Sequence, residues 1–206
     1  MDWRIVYTLI ASFFFTGCAQ EFPIEIWIDS DYNEEQESAI LRGINHWDNL
    51  IRDRLGKRGF VYMGTFDDDL DFDDFDDDRH LIYKITNPEN EVVVELEELL
   101  ERYWGYENGI IGYGLHSDII INWHNVIWLD DLRETLQSHD ESEHHSIFLY
   151  FFEELIMHEV GHFLGFGHDK APASIMSPNR VSTYPEPLQL YPRDIEVFCI
   201  IYHCAR

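Results

Sequence analysis

Between positions 158 and 168 the chain reads His158-Glu159-Val160-Gly161-His162-Phe163-Leu164-Gly165-Phe166-Gly167-His168, three imidazoles and one carboxylate within eleven residues. On a helix, residues four apart share a face, so His158 and His162 can present their nitrogens to a single Zn²⁺ ion. Glu159, one residue past the first ligand, stands beside that metal and not on it. There it can take a proton from an activated water and hand it to a leaving amine. A straight helix cannot bring a histidine six residues after His162 back to the same point. Gly165 supplies the break, because glycine tolerates positive φ and lets the chain turn. Three neutral histidines leave a fourth position for water, the layout of a catalytic zinc site and not a structural one. The extended H-E-x-x-H-x-x-G-x-x-H spacing is far more specific than H-E-x-x-H alone.

Eight residues after His168 comes Met176, within Ala173-Ser174-Ile175-Met176-Ser177-Pro178. A methionine in an apolar turn is ordinarily core filler. Together with the histidines, though, this segment resembles the Met-turn of the metzincin zinc endopeptidases, a tight turn beneath the ligands whose methionine binds no metal. Ile-Met-Ser-Pro, followed by Leu190-Tyr191-Pro192-Arg193-Asp194-Ile195, is most similar to the matrixins, the matrix-metalloproteinase-like family. The motifs cover residues 155–202, with a looser match back to residue 24. The resemblance implies an α+β zincin fold: a twisted, mostly parallel sheet, a long packing helix, an active-site helix, and a small C-terminal lobe with the Met-turn and a final helix. It also implies one catalytic Zn²⁺ and a polypeptide substrate.

The chain departs from the family pattern in places. Asp169 follows the third histidine where matrixins more often carry Ser or Thr; it could orient His168, cap the turn, or be a surface aspartate. Arg180 stands four after Met176, where vertebrate matrixins place a tyrosine in the S1′ wall, so a large apolar P1′ preference is not expected. Pro178 occupies the position of the astacin-type tyrosine, and Tyr184 and Tyr191 are expected to pack.

The elements that must position the site are legible in part. Ile24-Glu25-Ile26-Trp27-Ile28 alternates as a strand. Asn33 with Gln36 forms a capping box for a helix whose core stripe is Ile40, Ile44, Trp47 and Ile51, ended by Gly56–Gly59. His46, beside that stripe, reads as a helix-surface histidine. Phe60–Phe66 and His80–Thr86 read as strands. Residues 91–104 are ambiguous, since Val92-Val93-Val94 suggests a strand and Leu96, Leu99, Leu100 and Tyr103 suggest a helix, which is preferred. Asp118–Asn122 reads as a short buried strand and Ser146–Leu164 as the active helix. Gly109–Gly114 reads as a glycine-punctuated loop; in matrixin-like enzymes a strand near Asp118–Asn122 runs along the cleft and pairs with extended substrate, and residues 112–120 are the expected rim.

Residues 1–17 have a signal-peptide layout, and Phe15-Thr16-Gly17-Cys18 resembles a lipobox in which Cys18 is acylated. The expected organisation is therefore signal peptide 1–17, tether 18–22 and catalytic domain 23–206, with lobes at 23–168 and 169–206. An exported, membrane-anchored lipoprotein of the outer membrane or cell surface follows, with simple secretion as the alternative. No pro-domain fits between Cys18 and Ile24, so latency through a cysteine switch is not expected. Cys199 and Cys204 can bridge only if the final helix ends near Tyr202; two free thiols are the alternative.

The formal net charge of −26 argues against nucleic acid or an anionic membrane as a simple electrostatic partner, and it favours neutral or basic substrates. Nine aspartates fall between Asp67 and Asp78. This run suits Ca²⁺ or a solvated, self-repelling loop, and the glycine of an EF-hand loop is missing. His116, His124, His139, His144 and His145 form no recognisable ligand spacing for a second metal. The reading is thus a monomeric zinc endopeptidase. The alternatives are a lipoprotein that binds calcium or a partner through its acidic loop around a vestigial zinc site, and a peptidase confined to small or cell-wall peptides.

Overall fold

The computed structural model describes residues 21–70, 79–104, 112–114, 118–123, 136–171, 173–178 and 184–204. The signal-peptide segment, Cys18, residues 71–78 of the acidic run, residues 115–117 of the expected cleft rim, His116, His124 and Arg180 lie outside them.

Five strands, β1 (Ile24–Asp29), β2 (Phe60–Phe66), β3 (Leu81–Ile85), β4 (Gly112–Gly114) and β5 (Ile119–Asn122), form one sheet in the order β2-β1-β3-β5-β4. All pairings are parallel except that of β4, which runs antiparallel to β5 along the sheet edge. A bulge in β2 leaves Met63 without a partner residue between Tyr62 and Gly64, and Gly64 meets it with φ of 121°.

Both faces of the sheet are covered, which accounts for runs such as Ile119-Ile120-Ile121 that lack polar alternation. Ile24, Ile26, Ile28, Ile82, Ile119 and Ile121 face α1 (Glu34–Leu55) and α3 (His144–Phe163). Leu81, Tyr83, Ile85 and Ile120 face α2 (Glu91–Trp104) through Val92, Val93 and Leu96. The three consecutive valines therefore belong to a helix. Asn90 decides the matter locally, its side chain accepting the backbone N–H groups of Val92 (3.0 Å) and Val93 (3.3 Å).

Helix α1 begins with the Asn33–Gln36 capping box and ends at Gly56, with φ of 67°. Its stripe Ile40, Ile44, Trp47 and Ile51 is buried. Helices α1 and α3 approach closely at Gly43, where an added Cβ would lie 2.8 Å from Ile156 Cγ2. Four residues on, the Trp47 indole N–H donates to the Met157 carbonyl at 2.8 Å. Buried Asp48 accepts from the Gly59 and Phe60 N–H groups (2.6 and 3.0 Å) and from Arg52 (2.5 Å), fastening the start of β2 to α1. Thus α3, which carries His158 and His162, rests on a helix that is itself fixed to the sheet.

The chain ends in α4 (Pro192–Ile201), whose Phe198 is fully buried. A disulfide joins Cys199 and Cys204 across the end of this helix. The Tyr202 hydroxyl then donates to the Leu164 carbonyl at 3.1 Å, tying α4 to the end of α3. Among the described residues no helix is long and apolar enough to cross a membrane.

Candidate metal centre

His158 and His162 project from the same face of α3, their ring centroids 4.7 Å apart. The helix ends at Phe163, and Gly165 takes φ of 90°. The Gly165 N–H donates to the His162 carbonyl (2.8 Å) and the Phe166 N–H to the Gly161 carbonyl (2.9 Å), so the last carbonyls of the helix are satisfied while the chain reverses. That reversal brings the His168 ring centroid to 4.7 Å from His162 and 5.3 Å from His158. The three histidines each offer one ligand atom within 4.8 Å of the others, and the Nε2 atoms of His162 and His168 are 3.1 Å apart. A tetrahedral zinc with bonds of about 2.0–2.1 Å separates its nitrogens by about 3.3 Å, so the set fits that ion. Among the described residues it is the one such group.

Protonation favours the same role. The Nδ1–H of His158 donates to the Ile175 carbonyl and that of His162 to the Phe166 carbonyl, both at 2.8 Å, which puts the ring lone pair on each Nε2. Burial pushes His158 down to about 4 and His162 down to about 3, and the neighbouring histidines add to the effect. His168 is also lowered by burial. All three imidazoles are therefore neutral, as metal ligands must be. Glu159 follows His158 on α3 and is buried, 3% exposed.

Beneath the histidines, Ser174–Ser177 closes a turn, with the Ser177 N–H donating to the Ser174 carbonyl at 3.2 Å. Met176 in this turn is buried under Gly161, where an added Cβ would lie 2.2 Å from its Sδ and 3.2 Å from Trp47 Cζ2. Only glycine at position 161 leaves room for the methionine. The turn is held from α4 by buried Asp194, which accepts from Ser174 Oγ (2.6 Å), from the Ile175 N–H at both oxygens (3.1 Å each) and from the Tyr191 N–H (2.8 Å). Since the Ile175 carbonyl also accepts from His158, Asp194 supports a ligand through a single residue. Sequence reasoning reached Asp194 only as part of a family motif; its place at the third position of a Pro-initiated helix was the signal for a buried cap.

The other candidates have partners of their own. The Asp169 carboxylate caps its own turn by accepting from the Ala171 N–H (2.9 Å) and pairs with Arg193 Nε (2.7 Å). Tyr184 packs edge-on against Tyr150 and His139. His46 is half-buried and bonds to Glu153 on α3 at 3.2 Å, while His145 lies at the surface 2.6 Å from Glu35. His144 contacts the His139 carbonyl at 3.3 Å. Residues 112–114, expected as part of a loop, form strand β4, which lies alongside α3 and, among the described residues, pairs with β5 at the edge of the sheet.

No curated protein matches this chain. The sequence profile of the matrixin peptidases matches residues 66–203, about two thirds of the chain, from the end of β2 through the three histidines to the end of α4. The family and the three-histidine cluster together support a zinc metallopeptidase, and the chain belongs to the matrixin family.

Proposed function

We propose that the protein is an exported zinc endopeptidase in which Glu159 carries the proton. The observation that supports this most directly is the convergence of three neutral histidines next to a buried carboxylate, in a chain of a peptidase family. His158, His162 and His168 would hold the zinc, with the Ile175 and Phe166 carbonyls fixing the first two rings. When bound, that ion supplies Lewis acidity, acidifying water and polarising a carbonyl. The Glu159 carboxylate accepts the proton of the attacking water and returns it to the departing amine nitrogen. Its burial keeps bulk water from competing for that proton.

Substrate would lie extended along β4, adding a strand by backbone hydrogen bonds with little demand on sequence. The net charge of −26 favours neutral or basic polypeptides. Cys18, acylated and left as the new N-terminus on removal of residues 1–17, would tether the domain to a membrane surface facing an oxidising compartment, which agrees with the Cys199–Cys204 disulfide.

The test compares Glu159→Gln with His158→Ala in zinc content and in cleavage of an unfolded protein such as casein. Glu159→Gln is expected to keep one zinc and to lose turnover by a factor of about 10²–10⁴, whereas His158→Ala is expected to lose the metal. Near-wild-type cleavage by Glu159→Gln contradicts the assigned proton carrier.

A further inference from the structure

His168 is held differently from the other two ligands. His158 and His162 rise from a helix, and each has its Nδ1–H on a carbonyl. His168 stands on the exposed loop after α3, and among the described residues no hydrogen bond holds its Nδ1. Its position is set by the backbone, and the backbone is set by the next residue. The Asp169 N–H donates to the Met176 carbonyl at 2.9 Å, which joins this loop to the Met-turn. The Asp169 carboxylate closes the turn through Ala171 and reaches Arg193 Nε at 2.7 Å, while Arg193 Nη1 is steadied by Glu196 at 2.8 Å.

The first turn of α4 thus grips the centre twice. Asp194 holds the Met-turn and, through the Ile175 carbonyl, His158; its neighbour Arg193 holds the loop of His168. We propose that Asp169 and Arg193 are positioning residues for the metal, clamping the third ligand to α4 so that its imidazole is in place before the ion arrives. This rests on the zinc reading above. An exposed ion pair contributes little to folding, and Arg193 is about half exposed, with Asp169 22% exposed. Without the clamp, ordering of the loop is deferred to metal binding, so the cost appears in affinity for the ion and not in the stability of the empty protein.

The experiment uses the full chain and measures the zinc dissociation constant by competition with a chromogenic chelator. Wild type, Arg193→Met, Asp169→Asn and the double variant are compared, together with urea midpoints of the zinc-free proteins and visible spectra of the cobalt-substituted forms. Each single variant is expected to weaken zinc binding about tenfold, the low end for outer-shell partners of a metal ligand. The double variant should be no weaker than either single, because both remove one contact. Arg193→Lys, which keeps the charge and loses the planar fork, should fall between wild type and Arg193→Met. Zinc-free midpoints should stay near wild type, and the cobalt band should shift in the two single variants. Zinc affinities within about twofold of wild type would overturn the inference; so would losses that add in the double variant, or that are matched by loss of zinc-free stability. A wild-type chain that binds no zinc overturns the metal reading itself and this inference with it.

Discussion

Replacing Gly161 by alanine sets two effects against each other at the centre of the fold. Alanine is the better helix former, by about 1 kcal/mol in a helix interior. The new methyl group, however, would sit 2.2 Å from Met176 Sδ, 3.1 Å from its Cε and 3.2 Å from Trp47 Cζ2. Non-bonded heavy atoms prefer about 3.5–4.0 Å, so the sulfur must move by more than 1 Å. It has little freedom to do so, since Met176 is 1% exposed and its turn is fastened through Ser174, Ile175 and Asp194. Trp47 is equally confined by its hydrogen bond to Met157. Overpacking at such sites costs about 1–3 kcal/mol. With the upper end taken for so short a contact, Gly161→Ala should lose about 2 kcal/mol net. Urea denaturation of the zinc-free protein measures this without the linkage that metal adds. The diagnostic is a cycle with Met176→Ala: once the sulfur is gone, alanine at 161 should be neutral or stabilising. A Gly161→Ala protein as stable as wild type, or additive losses in the double variant, would refute the packing argument.

Other consequences follow from the same geometry. Asp194→Asn places an amide N–H₂ where two backbone N–H groups and a hydroxyl now donate, so it should cost about 2–3 kcal/mol and weaken zinc binding through His158; unchanged urea midpoints would contradict the buried clasp. The zinc-free protein should lose stability as pH falls below about 6.5, the unfolded value for histidine. His158 and His162 stay neutral in the fold down to about 4 and about 3, so over that range the unfolded chain binds more protons. Each then removes on the order of 1 kcal/mol per pH unit, and urea midpoints that do not change from neutral pH down to about pH 5 would refute it. With a net charge of −26, the thermal midpoint should rise with added salt as the Debye length shrinks from about 30 Å at 0.01 M to about 3 Å at 1 M; a midpoint independent of salt would mean that self-repulsion is negligible.

What the sequence made legible was local. The spacing of His158, Glu159, His162 and His168 encodes its own geometry, because a helix repeat and one glycine turn are enough to bring the imidazoles together. Asn33 and Gln36 sit three apart, and the capping box they form needs nothing distant. Strands β1, β2, β3 and β5 were likewise readable from short apolar runs, whereas β4, Gly-Tyr-Gly, carries no such run. Residues 91–104 were ambiguous because three valines favour a strand in isolation, and the outcome depended on Asn90 and on a sheet face that only the other strands could supply. Distant partnerships carried no sequence signature. Asp48 meets residues eleven and twelve positions away, Asp169 meets Arg193 across twenty-four, and Gly161 makes room for a methionine fifteen residues on. Such pairs are chosen by how α1, α3 and α4 pack, and no periodicity in any one of them announces the contact.

Three histidines and Glu159 are proposed to form one hydrolytic zinc centre. Its most direct test is zinc content of the purified chain measured alongside casein cleavage, with and without a chelator. One zinc per chain is expected, with cleavage that stops on chelation and returns with zinc, and a Glu159→Gln variant that keeps the ion without cleaving. A folded protein that binds no zinc, or one whose cleavage survives both chelation and loss of Glu159, would contradict it.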